Sequence, residues 1–339
     1  MSAIHLLNLA SNRLRTLPMV IFYLTDGCNS RCVTCDIWRS PRRNMPLDII
    51  DTATAESRVL GIRWAVLSGG EAMQHPQWAE AARRLRHAGM RVFLLTNGLF
   101  LKRQADDVIA CVDEVVVSLD GGTPQTYEAI RGVDAFDLVL DGVRAVRAGG
   151  IPVTTRTVVQ RANYRELPAI IHAAKSADVT SISFLTVDVS NPFAFGERAD
   201  IHQAVPVSAL TADDLQIFSG ILDTLERDFA ADFAARRIAE SPEKLRRMVD
   251  YFAAILGQGA FSPPRCNAPH LSVVIEVDGT LRPCYFLPRM GKLNGAPLAE
   301  AINAPDALAL RRAYRAGERR ECDGCVCPLY KGASALLRL

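Results

Sequence analysis

An α/β fold, an open, curved parallel sheet or partial barrel of six βα units followed by a smaller cysteine-bearing C-terminal part, is what the 339-residue sequence predicts. Three observations carry this. Short apolar runs alternate with amphipathic stretches from residue 18 to about 187; the alternation is then lost; and from 262 short β runs appear, bracketed by cysteines. Six units fall short of the eight that close a full barrel, so function is expected at the C-terminal ends of the strands.

Residues 1–18 precede the first strand as an N-terminal extension. The strands follow as "MVIFYLT" (19–25), "RWAVLS" (63–68), "RVFLLT" (91–96), "EVVVSLD" (114–120), "PVTTRTVVQ" (152–160) and "SISFLTV" (181–187). Between them, stretches such as "PQWAEAARRLRHAG" repeat apolar residues at three and four and close on Gly, as amphipathic helices do. Residues 188–206 read as a connector, and "SPEKLRRMVDYFAAIL" opens a helix at Ser241, Pro242 and Glu243. In "HLSVVIEVDGTLRPCYF", Asp278-Gly279 is a hairpin turn between two β runs. The division expected is 1–18, 19–187, 188–261 and 262–339.

Apolar residues at 49 % and charged ones at 22 % are those of a folded globular chain. A net charge of +2 gives no field for nucleic acid or an anionic membrane, and neither partner is expected. The N-terminus lacks a secretory pattern, and no apolar run reaches the roughly 18 residues of a membrane span. The expected location is the cytoplasm, where clustered cysteines mean metal or redox chemistry.

Nine cysteines form two groups and an outlier. Cys111, inside "DDVIACVDEVVV", reads as a small buried hydrophobe. Cys28, Cys32 and Cys35 follow the first strand, close enough together to turn three sulfurs toward one soft-metal centre. A structural zinc site would want a fourth ligand, and neither His nor Cys lies near enough in sequence to supply one. Three cysteines suit a 4Fe-4S cluster with one iron left for a small molecule.

Cys28-x3-Cys32-x2-Cys35 after a first strand resembles the signature of the radical S-adenosylmethionine (radical SAM) enzymes. The resemblance implies a partial (β/α)6 barrel, S-adenosylmethionine on the open iron, and its reductive cleavage to a 5′-deoxyadenosyl radical that abstracts a substrate hydrogen. It also implies an electron donor such as flavodoxin or ferredoxin. Gly69, Gly70 and Glu71 resemble the family's Gly-Gly-Glu, whose glycines admit the ligand and whose carboxylate suits the methionine ammonium. Ser118 and Asp120 resemble the positions that reach ribose and methionine; Arg156, on the fifth strand, is similarly placed to meet the carboxylate or ribose, and Thr96 with Asn97 end the third strand. Where the family commonly has an aromatic residue before the third cysteine this chain has Thr34, so Trp38 or Ile37 is expected to pack on the adenine.

Cys266 and Cys284 flank the hairpin, and Cys322-x2-Cys325 follows a helical segment at about 298–315. Two ligands from a hairpin and two from a CxxC loop close a four-thiolate site, with zinc the reading in isolation. The whole resembles the auxiliary-cluster extensions named SPASM (long) and twitch (short). The short form is expected, with one auxiliary 4Fe-4S cluster on Cys266, Cys284, Cys322 and Cys325, and Cys327 as non-ligand or as alternate to Cys325.

The expected function is a radical SAM oxidoreductase-type enzyme acting on a small molecule, most simply a dehydrogenation that passes an electron to the auxiliary cluster. One alternative is a radical epimerase or other enzyme modifying a ribosomal peptide, with Cys327 or Tyr285 as hydrogen donor. With some 18 residues before the first strand, no leader-binding module is expected within this chain, although a separate protein could provide it. A zinc or iron-sulfur binding protein without catalysis is the alternative of another class.

Overall fold

The computed structural model describes residues 2–196 and 207–336; of the connector expected over 188–206, residues 197–206 lie outside them. Six strands run in chain order: β1 (Met19–Thr25), β2 (Trp64–Gly69), β3 (Arg91–Thr96), β4 (Glu114–Ser118), β5 (Val153–Val159) and β6 (Ser181–Thr186). Each pairs in parallel with its sequence neighbour, Ile21 opposite Val66 and Val116 opposite Thr154.

The sheet does not stop where the βα repeat does. β7 (Ser272–Ile275) pairs in parallel with β1, Ile21 opposite Val274, and β8 (Thr280–Arg282) and β9 (Gly291–Lys292) continue it antiparallel. The order is β6-β5-β4-β3-β2-β1-β7-β8-β9, an unclosed sheet of nine strands. The hairpin expected in a small C-terminal part is therefore hydrogen-bonded into the main sheet. The physical reason is visible in β7, whose four residues "SVVI" are all buried, as a strand covered on both faces requires.

Strand alternation sorts the side chains into two layers. Val20, Phe22 and Leu24 of β1, Leu67 of β2 and Leu94 of β3 join the large core under the helices, and each such burial contributes about 1.5–3 kcal/mol. Ile21, Val66 and Val274 form a small inner cluster flanked by Tyr23, Phe93, Leu95 and Tyr285. Cys111 is fully buried in the outer core, its thiol donating to Asp107 O.

Two helices follow β6. Ala212–Asp228 begins with a capping box in which Thr211 and Asp214 bond each other's backbone, and it packs on Pro242–Ile255 through Phe218 and Phe252, ring centroids 6.5 Å apart. The segment expected at 298–315 is two helices, Leu298–Ala301 and Pro305–Arg315, broken by Pro305. The N-terminal extension is pinned to the C-terminal part: Asn8 donates to His270 O at 3.1 Å, and the fully buried Arg311 donates to the carbonyls of Asn12, Pro269 and Ile302. Among the described residues no helix is long and apolar enough to cross a membrane.

Candidate active site

β1 ends at Thr25 and releases the loop that carries Cys28, Cys32 and Cys35. All three thiols line a cavity of about 260 Å³ at the C-terminal ends of the strands. The loop is tied on three sides. Gly70 and Glu71 donate N–H groups to Thr25 O and Gly27 O, both at 2.8 Å; Arg31 and Val33 donate to Arg131 O and Ile130 O, both at 3.0 Å; Asp36 donates to Phe195 O at 2.8 Å.

The two glycines have a second reason to be glycine. A Cβ on Gly70 would stand 2.2 Å from Gly27 O, and one on Gly69, whose φ is +116°, would stand 2.5 Å from Thr25 O. The cysteine loop itself occupies the space that a side chain would need.

Glu71 is fully buried and turned into the protein. Its carboxylate accepts from Met73 N at 3.1 Å, Thr96 Oγ1 at 2.8 Å and Asn97 N at 2.7 Å. Burial raises its pKa, against the three hydrogen bonds that favour its charge. The cavity wall at this point is Ser68, Gly69 and Gly70. Asn97 is held by Glu71 and reaches the loop, donating to Asn29 Oδ1 at 2.7 Å and Ser30 Oγ at 3.0 Å, with Cys28 Sγ at 3.9 Å.

Ser118, Asp120 and Arg156 also line this cavity, as do Thr34 and Ile37; Trp38 does not. Asp120 is anchored, accepting from Val158 N at 2.7 Å and from Arg131 at 3.0 Å in a buried ion pair. Arg156 Nε is buried without a hydrogen-bond partner among the described residues, which leaves a donor for a ligand.

The C-terminal cysteines surround a second cavity, of about 400 Å³, lined by Cys266, Cys284, Cys322, Cys325 and Cys327. Among the described residues no three or more His, Cys, Asp and Glu side chains make a single-ion site. The donor chemistry and the room around it fit larger groups, a three-thiolate cluster at the first cavity and a four-thiolate cluster at the second. Burial pushes Cys28 up to about 11, Cys35 to about 12, Cys284 to about 12 and Cys322 to about 11, so these thiols are neutral at pH 7 until iron displaces their protons.

The cavities share a wall. Phe286 and Cys327 line both, while Cys325 lines only the second of them. On the first cavity's side of the wall Tyr285 stacks on Tyr23, with centroids 5.9 Å apart and ring planes at 26°. Burial raises both phenols' pKa and keeps them neutral.

Sequence reasoning missed Tyr23, Arg131, Asp188 and Phe195, all on the first cavity. Tyr23 was findable, since it shares the inner face with Met19 and Ile21. Arg131 carried no signal beyond its place at the end of helix Pro124–Arg131.

Residues 22–174 match the family model of the radical SAM superfamily, and residues 266–326 match that of SPASM, an iron-sulfur cluster-binding domain. The chain therefore carries a radical SAM domain and a SPASM domain, which imply S-adenosylmethionine with a 4Fe-4S cluster that binds it and auxiliary iron-sulfur as cofactors. It is 31 % identical over 163 residues to an AdoMet-dependent heme synthase of Methanosarcina barkeri, covering 46 % of this chain and 47 % of that protein. It is 32 % identical over 182 residues to a probable GTP 3′,8-cyclase of Saccharolobus islandicus, covering 52 % and 58 %. The chain thus spans about half the length of these curated relatives. Its fold is similar to Streptococcus suis SuiB bound to precursor peptide SuiA, with TM-score 0.65 and 13 % identity over 91 % of this chain and 70 % of that one. It is also similar to anSMEcpe with bound AdoMet, with TM-score 0.64 and 17 % identity over 92 % and 89 %.

Proposed function

We propose that this enzyme abstracts a hydrogen atom from a carbon of a small organic substrate and completes a net oxidation. The observation that carries the reading is the shared wall: a substrate in the first cavity lies one side chain, Phe286 or Cys327, from the five-cysteine cavity. Bound iron-sulfur would supply the electron that cleaves S-adenosylmethionine and, at the second site, take up the electron the substrate gives back. The chain's own part is positional. Cys28, Cys32 and Cys35 hold the first cluster, with the strand-end backbone at Gly69 and Gly70 and the side chains of Ser118, Asp120 and Arg156 around the cofactor. The ammonium contact expected of the Glu71 carboxylate is assigned to this backbone instead, because that carboxylate already accepts three protein hydrogen bonds. Cys266, Cys284, Cys322 and Cys325 hold the auxiliary cluster.

A net oxidation would require the substrate radical to give up one proton to solvent and one electron, which a cluster held by Cys266, Cys284, Cys322 and Cys325 would accept and pass to a carrier of the flavodoxin or ferredoxin class, the class that would also supply the cleavage electron. The reduced thiols this requires agree with a cytoplasmic location.

The test is iron and sulfide content with low-temperature EPR on anaerobically purified protein, compared with Cys28→Ala/Cys32→Ala/Cys35→Ala. About eight irons falling to about four, with a signal perturbed by S-adenosylmethionine in the wild type only, supports the reading. Zinc after anaerobic reconstitution overturns it.

A second outcome is favoured by Cys327 and Tyr285 on the first cavity: return of a hydrogen atom to the opposite face of the radical, an epimerisation, on a small molecule or a peptide. The donor would be reset by one electron and one proton from the same carrier and solvent. Solvent deuterium at the product carbon would select this outcome; its absence, with a two-electron-oxidised product, selects the first.

A further inference from the structure

The second cavity contains a donor that the cysteines do not explain. Arg319 lines it beside Cys266, Cys284, Cys322 and Cys325, together with Arg315 and the carboxylate-bearing Glu321 and Asp323. One terminal nitrogen of the Arg319 guanidinium is held by Glu321 Oε1 at 2.6 Å, in a pair whose side chains are 24 % and 17 % exposed. Arg319 Nε is buried and has no hydrogen-bond partner among the described residues. The backbone fixes the residue as well, because Cys322 N–H donates to Arg319 O at 3.0 Å, so the arginine and the first thiol of the CxxC loop belong to one turn.

A buried N–H left without an acceptor is costly, and native structures keep such a group when something outside the polypeptide satisfies it. Here the acceptor chemistry is defined by the four thiols sharing the cavity: soft, anionic sulfur. The carboxylates do not supply it, since Glu321 is taken by the terminal nitrogen and Asp323 faces Arg320 at 3.6 Å.

We propose that Arg319 donates its Nε–H to a sulfur of the auxiliary 4Fe-4S cluster and thereby raises the reduction potential of that cluster. Hydrogen bonds to sulfur and nearby positive charge stabilise the reduced, more negative cluster, and both act from this one side chain. The consequence for catalysis rests on the net-oxidation reading: a raised auxiliary potential makes this site an acceptor for the electron of the substrate radical.

The experiment is an EPR-monitored redox titration of the anaerobic holoenzyme with both clusters loaded. The first cluster, recognised by its response to S-adenosylmethionine, is the internal reference. Arg319→Gln removes the charge and the Nε donor, and is expected to shift the auxiliary one-electron equilibrium about tenfold toward the oxidised form, about 59 mV downward. Arg319→Lys keeps charge without that donor and is expected to fall between the two, with the reference potential unchanged in all three. An unchanged auxiliary potential in Arg319→Gln overturns the proposal, as does a shift of the same size in both clusters. If Arg319→Gln fails to load the auxiliary cluster, Arg319→Lys decides: wild-type potential overturns the proposal and a lowered one supports it. The net-oxidation reading fails differently, by showing no reduced auxiliary signal during turnover while the potential shift stands.

Discussion

Replacing Glu71 by Gln separates two roles for the Gly-Gly-Glu segment. In the wild type the buried carboxylate accepts hydrogen bonds from Met73 N, Thr96 Oγ1 and Asn97 N. A glutamine can keep the first two on its carbonyl oxygen, as neutral bonds. Its NH2 group then faces the Asn97 N–H, so one charge-assisted bond worth about 1.5–3 kcal/mol is lost and a buried donor is left unpaired at about 1–3 kcal/mol. Removing a buried charge offsets part of this, consistent with the raised pKa of Glu71. The net is about 2–4 kcal/mol. An unfolding entropy of about 2.1 cal/mol/K per residue over 339 residues converts this to a Tm lowered by about 3–6 °C. The assay is thermal unfolding of anaerobic holoprotein at neutral pH, with EPR before and after adding S-adenosylmethionine. The cluster signal is expected to change as well, because Asn97 links Glu71 to Asn29 and Ser30 in the cysteine loop. An unchanged Tm with weakened S-adenosylmethionine binding would refute this reasoning and return the carboxylate to the ligand ammonium.

Gly70→Ala puts a methyl group 2.2 Å from Gly27 O and must displace the cysteine loop, so iron content is expected to fall toward about four per chain while the auxiliary signal persists; full iron loading would contradict the packing. Cys325→Ala is expected to abolish the auxiliary cluster and Cys327→Ala to leave it loaded, because Cys327 also faces the first cavity; EPR of the two variants decides, and the reverse result would make Cys327 the ligand. Burial works against the charge of Asp214, yet hydrogen bonds from Tyr164 and Thr211 hold its pKa down to about 2. Its folded pKa is lower than its unfolded one, so its stabilisation is present above about pH 4 and is lost as pH falls toward 2. Asp214→Asn should flatten the acid limb of a stability-pH curve in that window, and an unaltered limb would count against it.

Two kinds of information separate in this molecule. Chemical identity was legible locally: thiols at x3 and x2 spacing, a Gly-Gly-Glu ending a strand, and a CxxC after an Asp-Gly hairpin each carry their chemistry within a few residues. So was the sheet's two-layer character, because strand period is fixed at two and Val20, Phe22 and Leu24 must share a face opposite Ile21 and Tyr23. Partnership at a distance was not legible. That Glu71 would spend its carboxylate on Asn97, that Arg131 would hold Asp120, and that β7 would pair with β1 across some 250 residues depend on which surfaces meet, and periodicity holds no trace of that. Cys327 shows the limit most plainly. Its spacing left it a spare or an alternate ligand, and only the packing of the C-terminal loop at the C-terminal ends of the sheet strands set its thiol on the wall between two cavities.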